Sequence, residues 1–364
     1  MATRVTQISA EVLSRGIAQT RVTQIAVEVL RTEEQMGLNY PITPWSKTNL
    51  YVDLVETIAA DFAARDLRFP NAKAPVFPIG KRSIDDHGIR ISGVPMKGSQ
   101  TRTVGKQMVE FPIGLVPTPQ AAAWLIAGLC QNKAYTTKYT VATPTDKQAK
   151  WFSAMVSGTD EANTEKGVWK ALGVVPKSVK IGIPSAGADG GEVSLSADVM
   201  GSLFSQVDTI PGSTGTLDAG VPILSTDCSF TRAGGAMKLV SANISLENGL
   251  TLDPNINTVA AGPDAMVLGE FKVTGDVTMI VEPDNTSNYY AIINGLGTPT
   301  THALVFTIGS GIVVTATVIF EYPGPPTEQN GVYVQTFPFR SEYQSATDPK
   351  IEVTTGSDLL ANWA

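Results

Sequence analysis

Alternation of apolar and polar residues with a period of two, laid down twice in the same order, restricts the fold of this chain more than any other feature. In GEVSLSADVMG, Val193, Leu195, Ala197 and Val199 alternate with Glu192, Ser194, Ser196 and Asp198. In LGEFKVTGDVTMIVEP, Phe271, Val273, Val277, Met279 and Val281 take one side and Glu270, Lys272, Thr274, Asp276 and Thr278 the other. A strand points successive side chains to opposite faces, so both segments predict half-buried strands with one wet face. Such strands bury their apolar faces against a second layer, which makes the chain mainly β.

The order of segments repeats. The first half reads as a strand at IRISGV, a loop through SQTRTVG, a strand at KQMVEFPIG, a helix at PQAAAWLIAGL, and strands at YTTKYTVA, KSVKIGI and GEVSLSADV. The second reads as a strand at KLVSANISL, a long loop to Leu268, a strand at GEFKVTGDVTMIV, a helix at PDNTSNYYAIINGL, and strands at ALVFTI, IVVTATVIFEY and VYVQTFPFRSE. A direct match of GEVSLSADV to GEFKVTGDV is sharper residue by residue but spans less. Both alignments describe an internal duplication of a β-rich unit with one short helix. The Gly-, Pro- and Ser-rich stretch Asp208 to Pro222 marks the linker. The expected division is an N-terminal arm at 1–45, a first β domain at 46–210 and a second at 211–364.

Three further segments carry expectations. TRVTQISAEVL at Thr3 to Leu13 returns as TRVTQIAVEVL at Thr20 to Leu30, either an arm that adds a strand to a neighbouring subunit or a small duplicated edge. Between Thr48 and Arg65, Leu50, Leu54, Val55, Ile58 and Phe62 have helical spacing, with acids at Asp53, Glu56 and Asp61. Thr143 to Gly167 reads as an insertion whose Trp151 and Phe152 either anchor a partner or pack under a long loop, the second being preferred.

The catalytic alphabet is thin, with two His and two Cys in 364 residues. His87 in IDDHGIR stands beside Asp85 and Asp86 without a second His in reach, which reads as a solvated turn rather than a metal site. Neither His302 nor His87 follows a GxSxG elbow. SAGADGG at Ser185 to Gly191 joins two strands, as a hairpin turn rather than a phosphate loop. DPNIN at Asp253 lacks the Gly and distal Glu of a calcium loop. No catalytic residue, metal site or cofactor is expected, and the chain is not expected to be an enzyme. Cys130 and Cys228 are read as two buried thiols rather than a disulfide framework. No run of apolar residues is long enough for a membrane helix, and Glu11 interrupts any signal-peptide core, so a soluble protein is expected. With 27 Lys and Arg against 34 Asp and Glu, the net charge of −7 opposes a firm, sequence-independent grip on DNA.

The series GIRISGVPMKGSQTRTVG, PTPQAAAWLIAGL and VPKSVKIGIPSAGADGGEVSLSADVMG, with KLVSANISLENGL and GEFKVTGDVTMIVEPDNTSNYYAIINGL in the second half, resembles the tail tube proteins of long-tailed (siphovirus-like) bacteriophages. A strand ending in Asn-Gly-Leu, a long loop, and a strand followed by a short helix ending near Gly-Leu carry the likeness from about Trp45 onward. The resemblance implies a duplicated tail-tube fold whose packed sheets join those of neighbours in an oligomeric β-barrel ring, six units around a lumen in the common form. It implies rings stacked head to tail into a conduit for genome DNA in the virion tail, made in the host bacterial cytoplasm. Implied partners are the chain itself, the tape measure protein, and tail terminator and tip proteins, with transient passage of DNA and no membrane. The preferred assembly is a trimer with pseudo-sixfold symmetry, and a hexamer with the first half outside is the alternative. Glu247 to Leu268 is the expected stacking arm. The expected lumen-facing residues are Glu192, Ser194, Ser196, Asp198, Glu270, Lys272, Thr274 and Asp276, the alternative being the outer wall. A capsid decoration or head-tail adaptor protein and a glycan-binding β-sandwich are the readings from other classes.

Overall fold

The computed structural model describes residues 49–54, 66–72, 80–81, 84–91, 94–104, 108–131, 134–141, 152–159, 165–185, 191–201, 203–207, 216–218, 220–252, 266–284, 287–296, 300–342 and 349–360. The N-terminal repeat, the DPNIN segment and the centre of SAGADGG lie outside them. The first half contains β1 (Asn49–Asp53), β2 (Leu67–Pro70), β3 (Gly80–Lys81), the hairpin of β4 (Ile84–Ile91) and β5 (Val94–Val104), β6 (Met108–Leu115), helix α1 (Pro119–Cys130), β7 (Ala134–Tyr135), β8 (Tyr139–Val141), β9 (Phe152–Thr159), β10 (Glu165–Ile183), β11 (Ser194–Gly201) and β12 (Leu203–Val207). After β13 (Thr216–Leu217) follow β14 (Ser229–Arg232), β15 (Gly235–Ala236), β16 (Leu239–Glu247), the short pair β17 (Thr251–Leu252) and β18 (Met266–Val267), β19 (Lys272–Ile280), helix α2 (Asn288–Gly295), β20 (Thr301–Ile308), β21 (Ile312–Phe320), β22 (Thr327–Gln329), β23 (Val332–Ser341) and β24 (Lys350–Val353).

Six strands form one antiparallel run in the order β6, β11, β10, β16, β19, β23. Three come from each half, and the seam between the halves is the ladder from Ser178↔Glu247 to Ile183↔Ala242. β10 serves two layers. Its C-terminal part lies in this run, while its N-terminal part pairs with β9 and β12, and β9 continues to β1 and β2. The change of layer falls where the β9 ladder slips between Ala171 and Val174, with Gly173 at φ 59°, followed by a second irregularity opposite β11 at Pro176. A bulge with a left-handed glycine bends a strand where an unbroken ladder would hold it straight. The Asn71↔Leu115 bridge draws β2 toward β6, and among the described residues β3 continues the run beyond β6 while the end of β21 and β22 continue it beyond β23.

The same pairing order occurs twice. β1 pairs with β2 and β9, and β14 with β15 and β20. β10 takes β9, β12 and β11, as β21 takes β20, β24 and β23. β6 lies between β11 and β3, as β19 lies between β23 and β16. The equivalent of KLVSANISL in the first half is therefore β3, and IRISGV instead spans the turn of the β4–β5 hairpin. That hairpin occupies the place that β17 and β18 hold in the second half.

The core lies between the layers. The inner face of the run supplies Phe111, Ile113, Val199, Ala197, Val179, Ile181, Ile244, Leu246, Val277, Phe337 and Phe339, all buried. Each such side chain other than Ala197 contributes roughly 1.5–3 kcal/mol when fully buried. Helix α1 starts where Thr118, in extended conformation, accepts the Ala121 amide and Pro119 fits the first turn. It ends at Gln131 in the left-handed region. Every residue from Ala121 to Cys130 is buried, and Trp124 stacks on Phe69 at 5.4 Å and meets Phe152 edge-on at 5.8 Å.

Several expectations from the sequence are corrected here. The segment from Thr48 opens with the strand β1, flanked by β2 and β9, because Leu50, Tyr51 and Val52 are all buried. Residues 55–65 lie outside the description. The presumed insertion holds the strand β9, while Phe152 is a core residue, in line with the preferred packing reading rather than the exposed anchor. Asp85, Asp86 and His87 lie in β4 rather than in a turn. Part of the presumed linker forms β13, which pairs in parallel with β2. Cys130 is a buried free thiol, whereas Cys228 is a half-buried one.

Candidate functional site

The outer face of the six-strand run carries a polar surface that crosses the seam between the halves. Cross-strand partners place Pro112, Asp198, Ser178, Glu247 and Lys272 in one row. The next row is Gly114, Ser196, Lys180, Ser245, Thr274 and Arg340. A third holds Ser194, Gly182, Asn243, Asp276 and Pro338. Ser194, Ser196, Asp198, Lys272, Thr274 and Asp276 thus share one face although they come from different halves. Glu192 and Glu270 do not join these rows, because each precedes its strand. Glu192 is exposed and itself forms an isolated bridge with Leu224, and Glu270 lies 3.0 Å from Lys272.

The face is less acidic than those eight residues alone imply. Lys180 lies 3.3 Å from Asp198, Lys177 3.8 Å from Glu110, and Arg340 3.8 Å from Glu321. The Ser178 hydroxyl donates to Asp198 at 3.0 Å, and the Asn243 amide donates to both carboxylate oxygens of Asp276 at 3.0 and 3.2 Å. Exposed pairs of this kind contribute only about 0–1 kcal/mol each, so their main effect is to cancel one another's field. An open groove of about 380 Å³ lies on this face, lined by Glu110, Lys177, Lys180, Asp198 and Glu247 among others. Its charges point to solvent and to each other, without the enclosed, convergent geometry of a small-molecule site.

The seam is fixed by a turn whose role the sequence did not disclose. Asn248, fully buried at the end of β16, donates through Nδ2 to the Leu129 carbonyl of helix α1 at 3.0 Å and to the Pro176 carbonyl of β10 at 2.9 Å. Its Oδ1 accepts the Leu250 amide at 3.1 Å. Gly249 follows at φ 58°, and a Cβ there would press on the backbone of Gly269 and Glu270. Leu250 joins Val175, Met200, Met266 and Leu268 in a small second core. The Asn-Gly-Leu triplet is therefore a clamp between the halves. The available signal was an Asn-Gly pair directly after an alternating strand.

His302, buried on β20, accepts from Arg232 Nε at Nδ1 over 3.0 Å and lies against the Phe320 ring. Arg232 in turn donates to Asn288 on helix α2 at 3.0 Å. Burial, and secondarily the Arg232 charge, hold the imidazole below its ordinary pKa. Burial pushes the Cys130 thiol far above its usual range. Among the described residues no three His, Cys, Asp or Glu side chains gather as metal ligands, and no helix is long and apolar enough to cross a membrane.

A search of curated proteins finds no match. The family model for phage tail tube proteins matches residues 90–341, from the β4–β5 hairpin to the end of β23. That span holds both helices found among the described residues and all six strands of the shared run, and it covers well over half of the chain. The chain belongs to the phage tail tube protein family, structural proteins of the virion tail that self-assemble into a tube.

Proposed function

We propose that three copies of this chain close a ring of six sheet units with pseudo-sixfold symmetry, and that such rings stack into a conduit for genome DNA. The observation that carries this reading is the repeated pairing order together with the β10–β16 ladder, which joins the two halves edge to edge. A sheet open at both ends exposes unpaired backbone groups, and closing it on equivalent edges removes them. The chain then folds as two tail-tube units, 46–210 and 211–364, with 1–45 as an arm. Stacking is a heterologous contact that propagates instead of closing. The β4–β5 and β17–β18 hairpins, which leave the sheet at equivalent places, are suited to it.

In this ring the polar outer face of the run lines the bore, with Ser194, Ser196, Asp198, Lys272, Thr274 and Asp276 on the wall and Glu192 and Glu270 at its rims. Paired charges and hydroxyls release few counterions from DNA, so the duplex slides past. Tape measure and terminator or tip proteins are the expected further partners in the tail. Negative-stain microscopy of the purified full chain tests the reading: hollow rings or tubes are expected, and compact particles at every concentration would overturn it.

A further inference from the structure

We propose that Glu321–Gln329 is the edge on which the β3–β6 edge of a second copy docks, and that its Pro323-Gly324-Pro325-Pro326 run guards this edge against premature pairing. The inference rests on the ring proposed above. In the first half, β10 has β11 on one side and, from Ser178 to Ile183, β16 on the other. In the second half the corresponding place beside β23 is taken by the end of β21 and the segment after it. The Glu321 amide donates to the Pro338 carbonyl at 2.9 Å, and β22 pairs with β23 from Thr327↔Val334 to Gln329↔Val332. Among the described residues no strand pairs with the outer side of this segment. β3, which stands to β6 as β16 stands to β19, likewise pairs only with β6 among them. A chain whose two halves join through one such pair of edges, and which leaves the equivalent pair unmatched, fits a second copy of itself.

The segment is shaped against casual pairing. Tyr322 to Pro326 stand opposite only Gln335 to Phe337, so the strand bulges outward. Three of those five residues are prolines, which have no N–H to offer a neighbouring strand. The bulge is held from within: buried Gln335 donates to the Gly324 carbonyl at 2.7 Å and accepts the Tyr289 hydroxyl of α2 at 2.7 Å. Tyr322 beside the prolines is 75% exposed, an aromatic surface for an incoming strand to cover. Proline and bulges on exposed edges are the usual means of keeping soluble sheets apart.

The test compares the full chain with a Pro323→Thr, Pro325→Thr, Pro326→Val variant by sedimentation over a concentration series and by negative stain. The variant is expected to assemble at a concentration about tenfold lower, the scale on which one or two recovered ladder hydrogen bonds act. An unchanged threshold, with both proteins forming rings, would overturn the guard while leaving the ring reading intact. Absence of rings from both would overturn the ring reading and this inference with it. Hydrogen exchange on the unaltered protein gives an independent readout. Assembly is expected to protect the amides of Tyr322 and Gly324 and those of Thr327–Gln329 that point away from β23, and unchanged exchange there in assembled tubes would exclude this edge as the docking surface.

Discussion

Gly275 lies in the middle of β19, between Ile244 and Phe339 on the neighbouring strands. A Cβ there would collide with the Asn243 carbonyl oxygen and come within 2.7 Å of the Phe339 ring. Gly275→Ala is therefore expected to destabilise the protein by about 1–3 kcal/mol, the range for overpacking, and urea denaturation measures it. An unchanged midpoint would show that the Asn243 backbone and the Phe339 ring both give way freely. His302 makes a different prediction at the same scale. Its folded pKa lies below the ordinary 6.5, so the unfolded chain takes up the proton first. Its contribution is complete above that value and declines as pH falls through 6.5 toward the folded pKa. His302→Asn should thus show a smaller loss of stability than the parent between pH 7.5 and 5.5, and equal slopes would contradict the neutral Arg232–His302 contact. Glu352 does not blur this window, because Lys138 and Lys350 hold its carboxyl below 4.5.

At the scale of elements, the Asn248 turn joins α1, β10 and β16. Asn248→Ala leaves the Leu129 and Pro176 carbonyls unpaired in a buried site and is expected to cost about 1–3 kcal/mol per orphaned group. Thermal unfolding checks it, and a change below about 0.5 kcal/mol would show that the clamp is dispensable. The strands that carry this seam were legible in advance. β11, β16, β19, β20, β21 and β23 alternate cleanly because each has one wet or half-wet face, and both helices end near the expected Gly-Leu pairs. β1 is buried on both faces, which erases the period of two and leaves Leu50, Leu54 and Val55 at a spacing that reads as helical. β9 is obscured in the sequence because its alternation is short and sits among Thr, Ser and Gly. The wet face could be listed strand by strand, but Lys180 and Arg340, which temper its acidity, became part of it only through cross-strand register.

For the whole molecule, the two halves repeat one unit and share one sheet, which in the proposed ring makes the covalent seam a sample of the seam between copies. The assignment of the bore is tested by labelling. In a Cys228→Ser background, Thr274→Cys should react with a bulky polymer-linked maleimide when unassembled and lose that reactivity in tubes. Retained reactivity would place the face on the outer wall. Rotational symmetry in electron cryomicroscopy of the tubes tests the central claim most directly. Three chains per ring, with threefold symmetry and six nearly equivalent sheet units around the lumen, are predicted. Six chains per ring, with only one half of each chain in the wall, would contradict it.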